Sequence, residues 1–365
     1  MKYIISGLSP GKGGVPKLLE YLQVNSSENF KLITPLNLRI DNRYLNHIIQ
    51  WVILKVFRLR VLFIYNKTVV LIHFQSIGLK TSMYLIRNNK PYLYLIDNTF
   101  FCLKSYNHRD DNECLDCVKD YSSAVKYNCS SFHFKHSRRA YVDFYEFLKN
   151  FTHKINFLTL SDTQTKLLKQ NLSENISVES LYFLTEDLVN RHSNKFKAVY
   201  RNYDIVFHGS SHPSKGSKYI LKLANSLSEL TFLFPFDSNE LKFQFRKTKN
   251  IFFETLSWET GLNKSVINAK LVVTPSTWSN TPEAATLKSI MDNGSVAMLK
   301  TKYGYVNELE EFVLCLTGNI EFDKVLIMDH IKNSTEAKSE LKSTLFLNEY
   351  NSKAINFINF FEIKH

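Results

Sequence analysis

Three charged side chains stand where a polar group transfer would need them: Asp97, Lys215 and Glu283. Lys215 follows the loop Gly209-Ser210-Ser211-His212-Pro213-Ser214 and precedes the helix-like run from Lys218 to Leu227. An ammonium there adds a point charge to the unpaired N–H groups of a helix start, and both favour an anion. Glu283 opens a second helix-like run after the strand-like Val272-Val273-Thr274 and the turn Pro275-Ser276-Thr277-Trp278. Its carboxylate either contacts a polar group of a ligand or serves as an ordinary helix-start acid. Asp97 ends the apolar run Tyr92–Ile96, and His73 ends the run Val69–Ile72. The ends of parallel strands are where open sheets carry functional groups, and a carboxylate there can orient or deprotonate a hydroxyl. Gly11, Gly13 and Gly14 form a loop between the first strand and the first helix, bare enough to approach a pyrophosphate and equally suited to a tight connection.

These residues need sheets to hold them, and the chain predicts two. Strand-like runs alternate with helix-like ones over the whole length, which argues for an α/β protein with parallel sheets and crossover helices. In the first half the predicted strands are Lys2–Ser6, Lys31–Thr34, Thr68–Phe74, Tyr92–Ile96 and Ile155–Leu160, with a helix over Val15–Leu22 and another opening at Ser161 or Asp162. In the second half they are Asp204–His208, Leu230–Phe234, Asn250–Phe253, Leu271–Thr274 and Ser295–Leu299. These runs are apolar on both faces, as strands covered by helices are. Two helical segments, near His330–Lys342 and Asn348–Phe361, close the chain.

A length of 365 residues suits two domains of about 180, each able to bury a core. The polar stretch Asn190–Asn202 is the expected linker, dividing an N-terminal domain (1–189) from a C-terminal one (203–345), with 346–365 as a closing helix. With 44% hydrophobic and 22% charged residues, the composition is that of an ordered globular chain. The apolar run at the N-terminus is too short for a signal peptide, and no stretch reaches the ~18 uncharged apolar residues a spanning helix needs, so a cytoplasmic protein is expected.

The net charge of +12 favours an anionic partner or reflects lysine-rich codon bias. Nucleic acid is not the expected partner, because no recognition-helix pattern or aromatic-basic ribonucleoprotein motif accompanies the charge. The segment Tyr44–Phe63 mixes bulky apolar residues with Lys55, Arg58 and Arg60. It predicts a helix that either packs in the core or lies on an anionic membrane face, which would make the protein peripheral to the inner side of the plasma membrane. The spacing Cys102-X11-Cys114-X2-Cys117-X11-Cys129 allows a structural zinc site of four thiolates, or four unligated thiols.

The Gly209 loop with Lys215-Gly216, and the strand, Pro275-Ser276 turn and acidic helix start at Glu283, resemble the nucleotide-sugar half of retaining glycosyltransferases of the GT-B fold, family-four type. That resemblance implies two Rossmann-like domains flanking a cleft, with a final helix returning to the first domain. It also implies transfer of a hexose from a nucleotide-sugar donor to a glycan or lipid-linked acceptor, as in bacterial O-antigen, capsule or lipopolysaccharide synthesis. No catalytic metal is implied, because Lys215 and helix N-termini would neutralise the leaving diphosphate. Donor-side residues carried over are Gly13, Gly14, Gly209, Ser210, Lys215, Ser276, Asn280, Glu283, Lys288 and Glu308; His73 and Asp97 fall on the acceptor side. Phe100-Phe101-Cys102 and Cys114-X2-Cys117 also match a segment found in some members.

The chain departs from the family at three of these positions. Ser210 stands where Arg is usual, while Asn280 and Lys288 replace paired glutamates. Lys288 cannot accept the ribose hydrogen bonds that the second glutamate takes. Either the nucleotide is held differently, with Lys288 meeting a phosphate, or the chain is a catalytically silent scaffold that binds a glycan or a partner.

Overall fold

The computed structural model describes residues 1–11, 13–38, 41–131, 136–182, 184–185, 188 and 203–363. The expected linker Asn190–Asn202 lies outside them. The chain divides into two compact units: Met1–Asn107, Leu115–Glu186 and Lys353–His365 form the first, and His108–Cys114 with Asp187–Ser352 form the second.

In the first unit six parallel strands lie in the order β2-β1-β3-β4-β7-β8. They are β1 (Lys2–Ile5), β2 (Phe30–Ile33), β3 (Thr68–Ile72), β4 (Lys90–Tyr94), β7 (Asn156–Thr159) and β8 (Ser177–Ser180). The helices are α1 (Gly14–Asn25), α2 (Arg43–Leu62), α3 (Phe74–Ile77), α4 (Leu79–Asn88), α5 (Ser122–Lys126), α6 (Arg138–Phe151) and α7 (Asp162–Asn171). Val69, Val70, Leu71, Ile72, Leu93 and Phe157 are fully buried, as strands covered on both faces require. Ser161 caps α7 by accepting from Gln164 N at 3.1 Å, as the Ser-Asp start predicts.

In the second unit six parallel strands lie in the order β11-β10-β9-β12-β13-β14. They are β9 (Ile205–Phe207), β10 (Phe232–Phe234), β11 (Ile251–Phe253), β12 (Leu271–Val273), β13 (Val296–Leu299) and β14 (Leu314–Leu316). Helices α8 (Ser217–Ser226), α9 (Asn263–Asn268), α10 (Ala284–Asp292) and α11 (Ile320–Asn333) belong here. So does a short hairpin, β5 (His108–Arg109) and β6 (Asn112–Glu113), whose turn residues Asp110 and Asp111 have φ of 50° and 66°.

The strand order of each sheet reverses once, between β1 and β3 in the first unit and between β9 and β12 in the second. The loops leaving the carboxyl ends of these neighbours diverge to opposite faces and leave a crevice, where ligands of such sheets bind. Most of the expected strands end one or two residues early, so that His73, His208 and Thr274 fall beyond the ladder, in the loops leaving β3, β9 and β12; Asp97 lies in the loop after β4. The two closing helical segments are a different pair: α11, then a continuous α12 (Glu336–Phe361) of 26 residues. Residues 353–365 group with the first unit, where Phe357 and Phe361 pack on Tyr94 at 6.4 and 6.2 Å.

Candidate functional site

The second unit assembles its polar side chains around the switch point of its sheet. The loop after β9 passes His208 and Gly209, makes a short turn over Pro213–Lys215, and enters α8 through Gly216 at φ 78°. His212 holds that turn by accepting from Ser214 N through Nδ1 at 3.2 Å. The loop after β12 lies against it: Thr277 N donates to Ser214 O at 2.9 Å, and a Cβ on Gly216 would stand 2.0 Å from Pro275 O. Only glycine permits that approach.

Where the two loops meet, Lys215 and Glu283 form an ion pair, Nζ to Oε2 at 2.7 Å. Ser276 Oγ donates to the other carboxylate oxygen at 2.9 Å, and Lys215 Nζ lies 5.3 Å from the centre of the Trp278 ring. Glu283 is the N-cap residue of α10, yet its carboxylate makes no cap hydrogen bond. The acid therefore acts between elements, and the lysine beside it is preplaced by a charge that an incoming anion would have to displace.

A second cluster lies further along α10. Lys288 is 7% exposed, with its ammonium 4.9 Å from the Trp258 ring centre, and His208 stacks on the same ring at 5.3 Å and 14°. Ser289 Oγ donates to Ala285 O at 2.8 Å, so it accepts from His208 Nδ1–H at 2.9 Å and fixes that tautomer. Asn280 is buried and takes a structural role, accepting from Tyr305 N through Oδ1 at 3.2 Å and so pinning the turn that carries Glu308. Its Nδ2 finds no partner among the described residues.

The β5–β6 hairpin completes this surface. Glu113 accepts hydrogen bonds from Lys302 N at 2.7 Å, from Tyr303 N at 3.1 Å and from Ser279 Oγ. Asp111 pairs with Lys218 at 2.5 Å, and the His108 and His212 rings meet edge to face at 5.6 Å. The donor-side residues are thus gathered in one unit with the exception of Gly13 and Gly14, which open α1 in the first unit; Gly13 has φ 107°. Ser210 is exposed on the Gly209 loop.

In the first unit His73 and Asp97, ends of adjacent strands, approach to 4.0 Å between Nε2 and Oδ2. His73 adopts the left-handed conformation, φ 57° and ψ 61°, a strained backbone for a residue with a side chain. Ser76 Oγ donates to His73 O at 2.7 Å and accepts from Gly7 N at 3.0 Å. Asp97 Oδ1 accepts from Thr99 N at 3.1 Å and from its hydroxyl, and Gln164 Nε2 donates to the Asp97 carbonyl at 3.2 Å. One carboxylate oxygen is thus held while the other faces the imidazole. Such a pair can orient a hydroxyl and take its proton. Nearby, burial and the Asp97 charge push the Tyr141 hydroxyl well above its ordinary range, while burial lowers His136, whose Nε2 lies 3.0 Å from Gln75 O.

Among the described residues no group of three or more His, Cys, Asp or Glu side chains is placed to hold a metal ion; Cys102 and Cys117 are buried, and Cys114 and Cys129 are half-buried. Cys114 follows Glu113, which is bonded to loops of the second unit, whereas the other three belong to the first. Cys102 and Cys117 are buried beside Tyr121, whose hydroxyl is raised by burial and by their neighbouring charges.

His208, Trp258 and the hairpin are site features that the motifs did not single out. His208 has the same signal as His73, a polar residue ending an apolar strand. Trp258 follows Ser257, which caps a turn reciprocally with Thr260. Glu113 carried no local signal.

No protein-family model matches the chain, and no curated protein matches it in sequence. Solved structures are similar in fold. A sucrose-phosphate synthase from Thermosynechococcus elongatus superposes with a TM-score of 0.62 at 11% identity, over 99% of this chain and 98% of that one. An E. coli structure described as trehalose-6-phosphate bound with UDP-2-fluoro glucose gives 0.60 at 11% identity, over 99% and 98%. An S. aureus TarM mutant in complex with fondaparinux, alpha-GlcNAc-glycerol and UDP gives 0.50 at 13% identity, over 80% of this chain and 55% of that one. With its two six-stranded parallel sheets, the chain is an α/β protein of GT-B architecture.

Proposed function

We propose that the protein is a retaining glycosyltransferase that moves a hexose from a nucleotide-sugar donor to a glycan or lipid-linked acceptor in the cytoplasm, in the assembly of a bacterial surface polysaccharide. The observation that carries this is the convergence of Lys215, Glu283 and Ser276 at the switch point of the second sheet. Lys215 and the N-terminus of α8 would neutralise the leaving diphosphate, which is the largest electrostatic demand of such a transfer. Glu283 and Ser276 would hold the sugar hydroxyls once Lys215 turns to the diphosphate. On the acceptor side, Asp97 with His73 would orient the incoming hydroxyl and receive its proton. The presence of UDP or a UDP-sugar in two of the structural neighbours supports a nucleotide-sugar donor.

The test is thermal unfolding of wild type and Lys215→Ala with UDP, GDP, ADP, CDP and dTDP. At a hundred times its dissociation constant a ligand stabilises by ~2.7 kcal/mol, a rise of about 5–10 °C for a unit of this size. One nucleotide should give that rise in wild type and lose it in Lys215→Ala. A second reading, a silent scaffold, is favoured by the engagement of Lys215 with Glu283 and by the buried Lys288 on Trp258. No shift with any of the five nucleotides would select it.

A further inference from the structure

Helix α2 has two apolar faces. Ile53, Phe57 and Val61 are buried on one. At about 100° per residue, Tyr44, Ile48, Trp51, Val52, Leu59 and Leu62 fall on the opposite side, and all six are exposed. Phe63 and Tyr65 extend the strip beyond the helix end, at 87% and 64% exposure. Of the 23 large hydrophobic side chains exposed among the described residues, ten lie between Tyr44 and Tyr65, so this is a patch rather than ordinary scatter.

Charge identifies what would cover it. From Asn42 to Ile96 the sequence holds eight Lys and Arg and no Asp or Glu, in a chain that has 34 acidic residues in all. That stretch supplies eight of the twelve net positive charges. Arg43, Lys55, Arg60 and Lys67 are exposed around the apolar strip, and Lys55 Nζ lies 5.3 Å from the Trp51 ring centre. Bulky aromatics among cations, with no acid between them, suit the boundary of an anionic bilayer. A second copy fits poorly, because a two-fold contact would set this cationic patch, which the stretch Asn42–Ile96 leaves without an acid, against a copy of itself. The exposed apolar residues of α11, Phe322 and Val325, contrast with this: Glu321 and Asp329 share their helix.

We propose that the exposed face of α2, with Phe63 and Tyr65, docks the protein on an anionic lipid surface. It would lie in the headgroup layer without crossing it; among the described residues no helix is long and apolar enough to span. The proposal uses none of the residues assigned to the transfer site.

The experiment is sedimentation of the full chain with vesicles of phosphatidylglycerol and phosphatidylcholine in equal parts, or of phosphatidylcholine alone. The wild type should partition at least tenfold better onto the anionic vesicles and lose that preference in high salt. Trp51→Glu with Leu59→Glu, both sites at 60% exposure, should reduce binding at least tenfold with an unchanged circular dichroism spectrum and melting temperature. Lys55→Glu with Arg60→Glu should reduce it by at least ~25-fold, at roughly fivefold per cation near an anionic surface. Wild type remaining in the supernatant overturns the proposal, as do variants that sediment like wild type. A dimer dissociated by Trp51→Glu in the absence of vesicle binding also overturns it, in favour of a second copy. The nucleotide panel reads the transfer site independently, so failure of one proposal leaves the other standing.

Discussion

Replacing Glu283 by Gln tests how the ion pair with Lys215 shapes the donor pocket. The amide keeps the shape of the side chain and an acceptor for Ser276 Oγ, but removes the charge that Lys215 meets at 2.7 Å. Breaking a fully buried pair costs ~3–5 kcal/mol and an exposed one under ~1. With the two side chains 17% and 16% exposed, the free protein should lose about 2–3 kcal/mol. The effect on ligand should have the opposite sign. A diphosphate entering the wild-type pocket must displace a carboxylate, whereas in Glu283→Gln it finds the ammonium without an anionic rival. Diphosphate affinity should rise about tenfold, equivalent to ~1.4 kcal/mol. Thermal unfolding with increasing concentrations of the best nucleoside diphosphate measures both quantities, and Lys215→Ala provides the reference for a lost site. If Glu283→Gln loses nucleotide stabilisation as Lys215→Ala does, the carboxylate is no competitor and the assignment of roles fails. If it leaves the free protein as stable as wild type, the ion pair contributes nothing.

The hairpin and the C-terminus give two further tests. Glu113→Ala removes the acceptor for Lys302 N and Tyr303 N, which should cost about 2 kcal/mol locally and raise hydrogen exchange at those amides roughly 30-fold; unchanged exchange would show that the hairpin is not held there. Hydrogen bonds from Asn29, Ser27 and Lys2 depress the Glu362 carboxyl from 4.5 to about 2. Its contribution to docking of the C-terminal residues in the first unit is therefore complete above pH 4.5 and lost as the pH falls toward 2. A pH titration of the Tyr92 and Tyr94 environments beside Phe360 and Phe361 should show that dependence, and Glu362→Gln should abolish it.

Most strands of both units were legible because each is a short run rich in apolar residues, with the central ones, such as Thr68–Ile72 and Leu271–Val273, almost wholly buried; Leu314–Leu316, an edge strand of three residues, was not singled out. Ser177–Ser180 escaped notice because an edge strand need not be apolar: its burial alternates between half-buried and exposed. The cysteine spacing says nothing about where the chain between the cysteines goes. Between Cys102 and Cys117 the chain makes a hairpin whose acid is bonded to loops nearly 190 residues further on. The substitutions at Asn280 and Lys288 were visible as departures, but their new duties were not. One pins a backbone turn, and the other sits on an indole that the intervening sequence brings to it.

The sequence by itself determined the α/β class, the position of most strands, the helix starts that carry Lys215 and Glu283, and the crowding of cations in the stretch around α2. All of these follow from local burial, local charge and local backbone preference. Tertiary structure alone decided that Lys215 meets Glu283 across 68 residues, that His73 faces Asp97, that His208 and Lys288 share Trp258, and that the second apolar face of α2 stays exposed. The reason is physical. Burial of an apolar run is set by its own composition, whereas a contact between two polar ends depends on the order and register of the strands that carry them.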